Sequence, residues 1–234
     1  MKLLFKYTSR SRVDRFFEGL DSIINNIADK ENYIVLCSFD IDDTAYANKE
    51  FLSKVQSYEK VIVYYGTSES KIFAINRDMV FAPHYDILVN FSDDIVITQY
   101  GFDNIIREEM MYNYPSMDGV LHFKDKNNGD KLMTMSIMGK RYYDKFNYIY
   151  HPDYISLWSD NEAQQVAKIL GKYTFVDKLI YEHKHPAYNL APMDKQYKLT
   201  ESFYHIDGET FKKREYFKQT NIAKDFLQLC KQLS

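Results

Sequence analysis

The stretch Tyr85-Asp86-Ile87-Leu88-Val89-Asn90-Phe91-Ser92-Asp93-Asp94 decides the reading of this chain. A short run of β-type residues stops abruptly on a serine and two adjacent carboxylates. An apolar run of this length reads as a strand buried on both faces. In an open α/β sheet, ligands bind beyond the carboxyl ends of the strands. Two acids at such an end suit a hard divalent cation, Mn²⁺ or Mg²⁺, whose oxygen ligands include a diphosphate. The plainer reading is a solvated turn, where Asp is common.

Working outward, the same pattern repeats. Lys2 to Tyr7, Tyr33 to Phe39 and Lys60 to Tyr65 read as further strands. Between them, Val13, Phe16, Phe17, Leu20, Ile23, Ile24 and Ile27 recur at helical spacing, and Ser68 is placed to cap a helix carrying Ile72, Ile75 and Met79. Downstream, Gly101 to Tyr114 reads as a helix. Gly119 to Phe123 and Lys131 to Met138 read as strands joined by the turn Asn127-Asn128-Gly129. A helix is expected from Ser159 through Leu170, and extended chain from Tyr173 to His185. The tail from Thr210 to Leu233 reads as an amphipathic helix, with Phe211, Phe217, Ile222, Phe226 and Leu229 on its buried side. Strands alternating with helices give an α/β domain with a mostly parallel central sheet flanked by helices. Residues 1–234 are read as one domain: a nucleotide-binding half (1–100), an acceptor-binding half (101–205) and a C-terminal helical extension (206–234).

Composition narrows the function class. Hydrophobic residues make up 45% of the 234 residues, enough for a globular core. The balance of 30 basic and 33 acidic residues, a net of -3, gives no global attraction to nucleic acid or anionic lipid. Cys37 and Cys230 lie far apart with no metal spacing, so they read as reduced thiols of a cytoplasmic protein. No stretch approaches the roughly 20 apolar residues of a membrane span.

Further residue groups could carry chemistry. Asp40-Ile41-Asp42-Asp43 ends another strand, so both acidic clusters could line one crevice; its plainer reading is a capping loop before a helix from Thr44 to Gln56. Thr8-Ser9-Arg10-Ser11-Arg12 follows the first strand and offers hydroxyl and guanidinium groups to a nucleobase or phosphate. His183 and His185 alternate, so both imidazoles face one way if the segment is extended, as two metal ligands require. Ser159-Asp160-Asn161-Glu162 fits a capping box made by Ser159 and Glu162. Asp160 has no part in that box. The helix dipole favours its ionised form, which suits a base that deprotonates a hydroxyl.

Taken in order, these pieces resemble the GT-A glycosyltransferases, particularly glycosyltransferase family 2, over roughly residues 3 to 190. Tyr7 to Arg12 looks like the nucleotide-contacting loop after the first strand. Asp40 and its neighbour Asp42 sit where the family places a base-recognising Asp. Ser70 to Met79, with Lys71 and Asn76, resembles the helix carrying an Ala-x-Asn-x-Gly-type signature. Ser92-Asp93-Asp94 matches the metal-binding DxD-like motif, without its separating residue. The resemblance implies that Asp93 faces the ribose or donor sugar, that Asp94 ligates Mn²⁺ or Mg²⁺, and that His183 or His185 completes the coordination. It also implies that Asp160 or Glu162 supplies the catalytic base. The implied reaction is transfer from a nucleoside-diphosphate sugar, a UDP-sugar favoured, to an acceptor hydroxyl by direct displacement with inversion. Arg10, Lys71 and Arg77 would stabilise the leaving diphosphate. A saccharide acceptor is favoured. A modified nucleic acid would find support in Lys212-Lys213-Arg214 beside Phe211, Tyr216 and Phe217, which a solvated helix face explains more simply. The rival readings are a nucleotidyltransferase and a non-catalytic binding protein of the same fold. The first needs a Gly-rich loop after the first strand, and this chain has Ser-Arg-Ser-Arg there.

Overall fold

A computed structural model describes residues 1–220. Strand β1 (Leu3–Thr8) lies between β2 (Tyr33–Asp40) and β4 (Ile87–Ser92), parallel to both, and β3 (Val61–Gly66) extends the sheet beyond β2. On the other side of β4 come β7 (Ile137–Gly139), antiparallel, then β6 (Val120–Phe123) and β8 (Tyr173–Val176). The result is a mostly parallel seven-stranded sheet in the order β3-β2-β1-β4-β7-β6-β8. A separate two-stranded ribbon pairs β5 (Ile95–Ile97) with β9 (Tyr181–His183).

Alternation along the central strands explains why they are apolar throughout. Phe5, Tyr7, Val35, Phe39, Val89 and Phe91 enter a cluster with Phe16, Leu20 and Ile23 of helix α1 (Val13–Asn26) and Phe51 of α2 (Lys49–Val55). Leu4, Leu36 and Leu88 face the opposite way, onto Ile72 and Ile75 of α3 (Lys71–Asn76) and a layer that includes Tyr142, Tyr154 and Ala167. Each strand is therefore covered on both faces, as a parallel sheet requires. Helix α4 (Phe102–Asn113) adds Phe102 and Ile106 to the first cluster. Helix α5 (Lys140–Phe146) follows β7 directly. Gly19 of α1 lies so close to the Tyr7 hydroxyl and the Ile95 carbonyl that a side chain there would collide with them. This close approach seats α1 against the β5 ribbon.

Several boundaries differ from the sequence expectation. The cap of α3 is Ser70, whose side chain accepts from the Phe73 amide at 3.0 Å, while the Ser68 hydroxyl is buried without a hydrogen-bond partner among the described residues. The helix expected over 44–56 begins only at Lys49, because Asn48 caps it and residues 43–47 form turns around Asp43. Only the end of the 131–138 segment is strand. The extended run 173–185 is split between β8 and β9.

The capping box at helix α6 (Ser159–Ile169) does not form. Trp158 occupies the cap position in a left-handed conformation (φ 63°) with no side-chain cap, so Ser159 is already inside the helix. The Asp207 carboxylate serves this helix entrance instead, accepting from the amides of Ile155, Ser156 and Leu157 at 2.8–2.9 Å. Asp207 lies on α8 (Tyr204–Thr220), which follows α7 (Lys195–Ser202). Phe211 of α8 packs into the core as expected, whereas Ile222, Phe226, Leu229 and Cys230 lie outside the described residues. Among the described residues, no helix is long and apolar enough to cross a membrane.

One buried charge stands out. Lys6 is fully buried on the α3 side of β1, donating to the Ser38 hydroxyl, which in turn donates to Asp78 at 2.6 Å. Desolvation lowers its pKa from 10.5 to about 7, against the attraction of Asp78. The unfolded chain therefore holds this proton between pH 7 and 10.5 while the folded chain releases it. Stability from this group rises with pH across that window. Urea unfolding of the wild type and of Lys6→Met is expected to show their difference moving in favour of the wild type from pH 7 to pH 10. A pH-independent difference would mean that Lys6 stays charged in the fold.

Candidate active site

The carboxyl ends of β1, β2 and β4 meet at one edge, with Thr8, Ser38 and Ser92 in register there. Beyond them lie the residues singled out in the sequence. The β4 turn carries Asp93 and Asp94. The Asp93 carboxylate accepts from the Ser9 hydroxyl and from Arg12 at 3.0 Å. Burial and the Asp94 charge raise its pKa, against the pull of Arg12. For Asp94, burial works in the same direction, but His183 outweighs it and holds this carboxyl well below the usual range.

His183 reaches Asp94 because β9 pairs with β5 so that His183 stands opposite Ile95, and the Lys184 amide donates to the Asp94 carbonyl at 2.7 Å. Its Nε2 lies 3.5 Å from Asp94 Oδ2. Its Nδ1 lies 3.3 Å from Oδ2 of Asp125, a fully buried acid. Asp125 is itself fixed by the Asn127 amide at 2.8 Å and the Thr134 hydroxyl at 3.0 Å. Burial would lower the His183 pKa, but the two carboxylates raise it to about 9. Nothing in Lys124-Asp125-Lys126-Asn127-Asn128 distinguishes Asp125 from a solvated turn, and the sequence reading missed it.

His185 lies next to His183, ring centroids 5.3 Å apart, and packs edge-on to Tyr197. Its Nδ1 accepts from the Ala187 amide, which starts a short 3-10 turn, Pro186–Tyr188. Burial and the His183 charge lower its pKa. Both imidazoles therefore share one side, but His183 is the one aimed at Asp94. Among the described residues, no set of three or more His, Cys, Asp or Glu side chains converges as a metal cage. Asp94 and His183 offer two donors, which fits a cation that keeps water and phosphate oxygens for its remaining positions. The Asp125 contact at Nδ1 leaves Nε2 directed at the ligand position, the usual way an outer carboxylate orients a coordinating histidine.

Asp160 sits in the first turn of α6, with its Oδ1 accepting from the Asn161 amide at 2.9 Å. Burial raises its pKa, opposed in part by that amide and by the charges of Lys71 and His183. Lys71, exposed at the start of α3, adds positive charge that lowers the pKa of both Asp94 and His185. Glu162 is differently engaged. Its buried carboxylate accepts from the Tyr154 hydroxyl at 2.5 Å and from Arg214 at 2.9 Å. Asn76 is likewise tied to backbone, accepting from Ile149 at 2.8 Å and donating to the Tyr150 carbonyl at 2.6 Å.

The N-terminal loop makes the remaining wall. Arg10 bonds Asp40 at 2.6 Å and Asp42 at 2.8 Å, so these acids are neutralised by the neighbouring loop. Arg77 approaches Asp40 at 3.9 Å and donates to the Phe39 carbonyl. Asp43 is buried and accepts from the Ser11 amide at 2.6 Å. Arg12 stacks on the ring of Tyr197 at 3.9 Å and grips Asp194 with two nitrogens, at 2.7 and 2.8 Å. Neither Asp194 nor Tyr197 was read as functional from the sequence. Lys212 pairs with Glu209 on an exposed helix face, as a solvated face predicts, whereas Arg214 turns inward to the buried Glu162 and to Asp153.

No family model matches the chain, and no curated protein matches it. Solved structures do match. The mannosyltransferase PcManGT from Pyrobaculum calidifontis, in complex with GDP-Man and Mn²⁺, superposes with a TM-score of 0.65 at 10% identity, over 99% of this chain and 80% of that one. S. aureus TarS 1-349 in complex with UDP-GlcNAc gives a TM-score of 0.58 at 16% identity, over 78% of this chain and 58% of that one. A further structure of TarS 1-349 gives 0.58 at 14% identity, over 81% and 63%. The chain thus spans less than two thirds of the TarS structures. At these identities the likeness is one of fold, and the fold is the GT-A type of nucleotide-sugar glycosyltransferases.

Proposed function

We propose that this protein is a metal-dependent glycosyltransferase that moves a sugar from a nucleoside-diphosphate donor to an acceptor hydroxyl. The observation that carries the proposal is the line Asp94–His183–Asp125 at the carboxyl end of β4, with Arg12, Lys71 and Asp160 around it. The fold shared with structures holding GDP-Man with Mn²⁺ and UDP-GlcNAc supports the same reading. A UDP-sugar is the favoured donor and a saccharide the favoured acceptor. The order of the motifs along the chain makes family 2 the affiliation we favour. The buried Cys37 thiol suits the cytoplasm.

Asp94 and His183 would hold Mn²⁺ or Mg²⁺, with His183 giving up its proton to do so. When bound, the cation neutralises the leaving diphosphate. The protein's own groups do the rest. Arg12 and Lys71 supply positive charge for phosphoryl oxygens, Arg12 through a planar fork that matches them. Asp93 faces the donor's ribose or sugar. Asp160 accepts the acceptor's proton as the hydroxyl attacks the anomeric carbon from the side opposite the leaving group, which inverts the configuration. Burial raises its pKa, which makes the carboxylate a stronger base than a solvated one. Glu162, held by Tyr154 and Arg214, is a structural residue in this reading.

Thermal shift with UDP or GDP is expected to show stabilisation mainly when Mn²⁺ is present, by about 2.7 kcal/mol at 100 times the dissociation constant. Asp94→Asn and His183→Ala are expected to abolish the metal-dependent part, and His185→Ala to keep most of it. Equal stabilisation in EDTA and in Mn²⁺ would sink the metal assignment.

Turnover of Asp160→Asn is expected to fall by on the order of 10²–10⁴-fold with donor affinity intact, the usual loss of a positioned base. Glu162→Gln is expected to remain active but to lose about 1–3 kcal/mol of stability, because Arg214 loses the buried one of its two charged partners, Asp153 being the other. A dead Glu162→Gln beside an active Asp160→Asn would exchange the two roles.

A further inference from the structure

Three carboxylates crowd the carboxyl end of β4, yet the strongest contact of Arg12 is with none of those on the strand turn. Its Nε and one terminal nitrogen clasp both oxygens of Asp194, and only the other terminal nitrogen reaches Asp93. A planar bidentate fork recognises a carboxylate and a phosphoryl group by the same geometry. Arg12 is nearly buried, at 10% exposure, while Asp194 remains 31% exposed at the start of the short helix α7. The more exposed partner of the pair is thus the carboxylate. A diphosphate entering beside Asp93 and Asp94 adds negative charge next to those two acids and Asp194. Asp194 and a phosphoryl group cannot both occupy the fork.

Tyr197 ties the same helix to the site in a second way. Its ring lies under the Arg12 guanidinium at 3.9 Å. Its hydroxyl stands 3.2 Å from Asp94 Oδ2 and accepts from Arg15 at 3.1 Å. Tyr197 therefore touches both the guanidinium and the carboxylate that the proposed donor complex needs.

We propose that Asp194 is an internal stand-in for the donor's diphosphate, holding Arg12 in the free protein and yielding it to a phosphoryl group, while Tyr197 is a positioning residue that keeps Arg12 and Asp94 aligned. This rests on the glycosyltransferase reading of the site. Titration calorimetry tests it with two probes, UDP and inorganic pyrophosphate, each with Mn²⁺ and in EDTA. Asp194→Asn keeps a side-chain oxygen for the Tyr197 amide, which Asp194 caps at 2.9 Å, and removes the charge together with the second acceptor that completes the Arg12 clasp. It is expected to bind both probes about tenfold more tightly, roughly 1.4 kcal/mol. In an Arg12→Gln background the same change is expected to have no effect. Tyr197→Phe keeps the ring under Arg12 but is expected to weaken binding in Mn²⁺ and not in EDTA.

Unchanged affinity in Asp194→Asn would make Asp194 a helix cap only, and weaker affinity would make it a direct contact of the donor. Either result overturns the stand-in. A gain that persists without Arg12 also overturns it. Tyr197→Phe binding like the wild type would remove Tyr197 from the proposal. Wild-type protein that binds neither UDP nor GDP with Mn²⁺ would instead overturn the glycosyltransferase reading itself.

Discussion

The site depends on a short antiparallel pairing, β5 with β9. Its register sets His183 opposite Ile95, one residue from Asp94. Side chains alternate along a strand, so a slip of one residue would turn His183 to the other face and bring Glu182 in its place. Apolar burial fixes the register: Ile95, Ile97 and Tyr181 are all within the main core. The Tyr181 hydroxyl, 2.9 Å from Thr134, ties the ribbon to the same segment that holds Asp125. A core contact and a chemical contact are here set by one alignment.

Charge is distributed with equal care for direction. Asp93 and Asp94 are neighbours in sequence, yet their surroundings push their pKa values apart, one raised by burial and the other lowered by His183. The Asp160 pKa is raised by burial, against the charges of Lys71 and His183. Carboxylates in different environments take different protonation states at one pH. Such separation is what a site needs when one acid must stay ionised and another must gain a proton during turnover.

Much of the fold was legible in the sequence because strand burial leaves a local trace. β1, β2 and β4 were found within a residue or two, since both faces of each are apolar. Asp93, Asp94 and Asp160 could be singled out as candidates because each sits at an element end, where the pattern breaks. Asp125, Asp194 and Asp207 were not. Each acts on a partner far along the chain: Asp125 on His183, Asp194 on Arg12, and Asp207 on the amides before α6. Their immediate neighbours look like ordinary turns and exposed helix. The failed capping box at Ser159 has the same cause. The local motif was present, but Trp158 takes the cap position and the amides before it go to Asp207. Helix α3 ended sooner than its apolar spacing suggested, because Asp78 turns left-handed there and joins the Lys6–Ser38 chain.

The clasp between Arg12 and Asp194 joins residues 182 positions apart. Synthesis from the ribosome therefore delivers Arg12 early and its clasp last. The parallel strands β1 to β4 can assemble while the chain is still emerging, but the pocket edge stays open until α7 exists. Non-local closure of this kind is slow, because a long loop must be ordered before the contact repays it. By the time residue 194 is added, every strand of the sheet has been synthesised while one rim of the site has not. A chain interrupted before residue 194 would retain the strand-turn acids and lose one rim of the crevice.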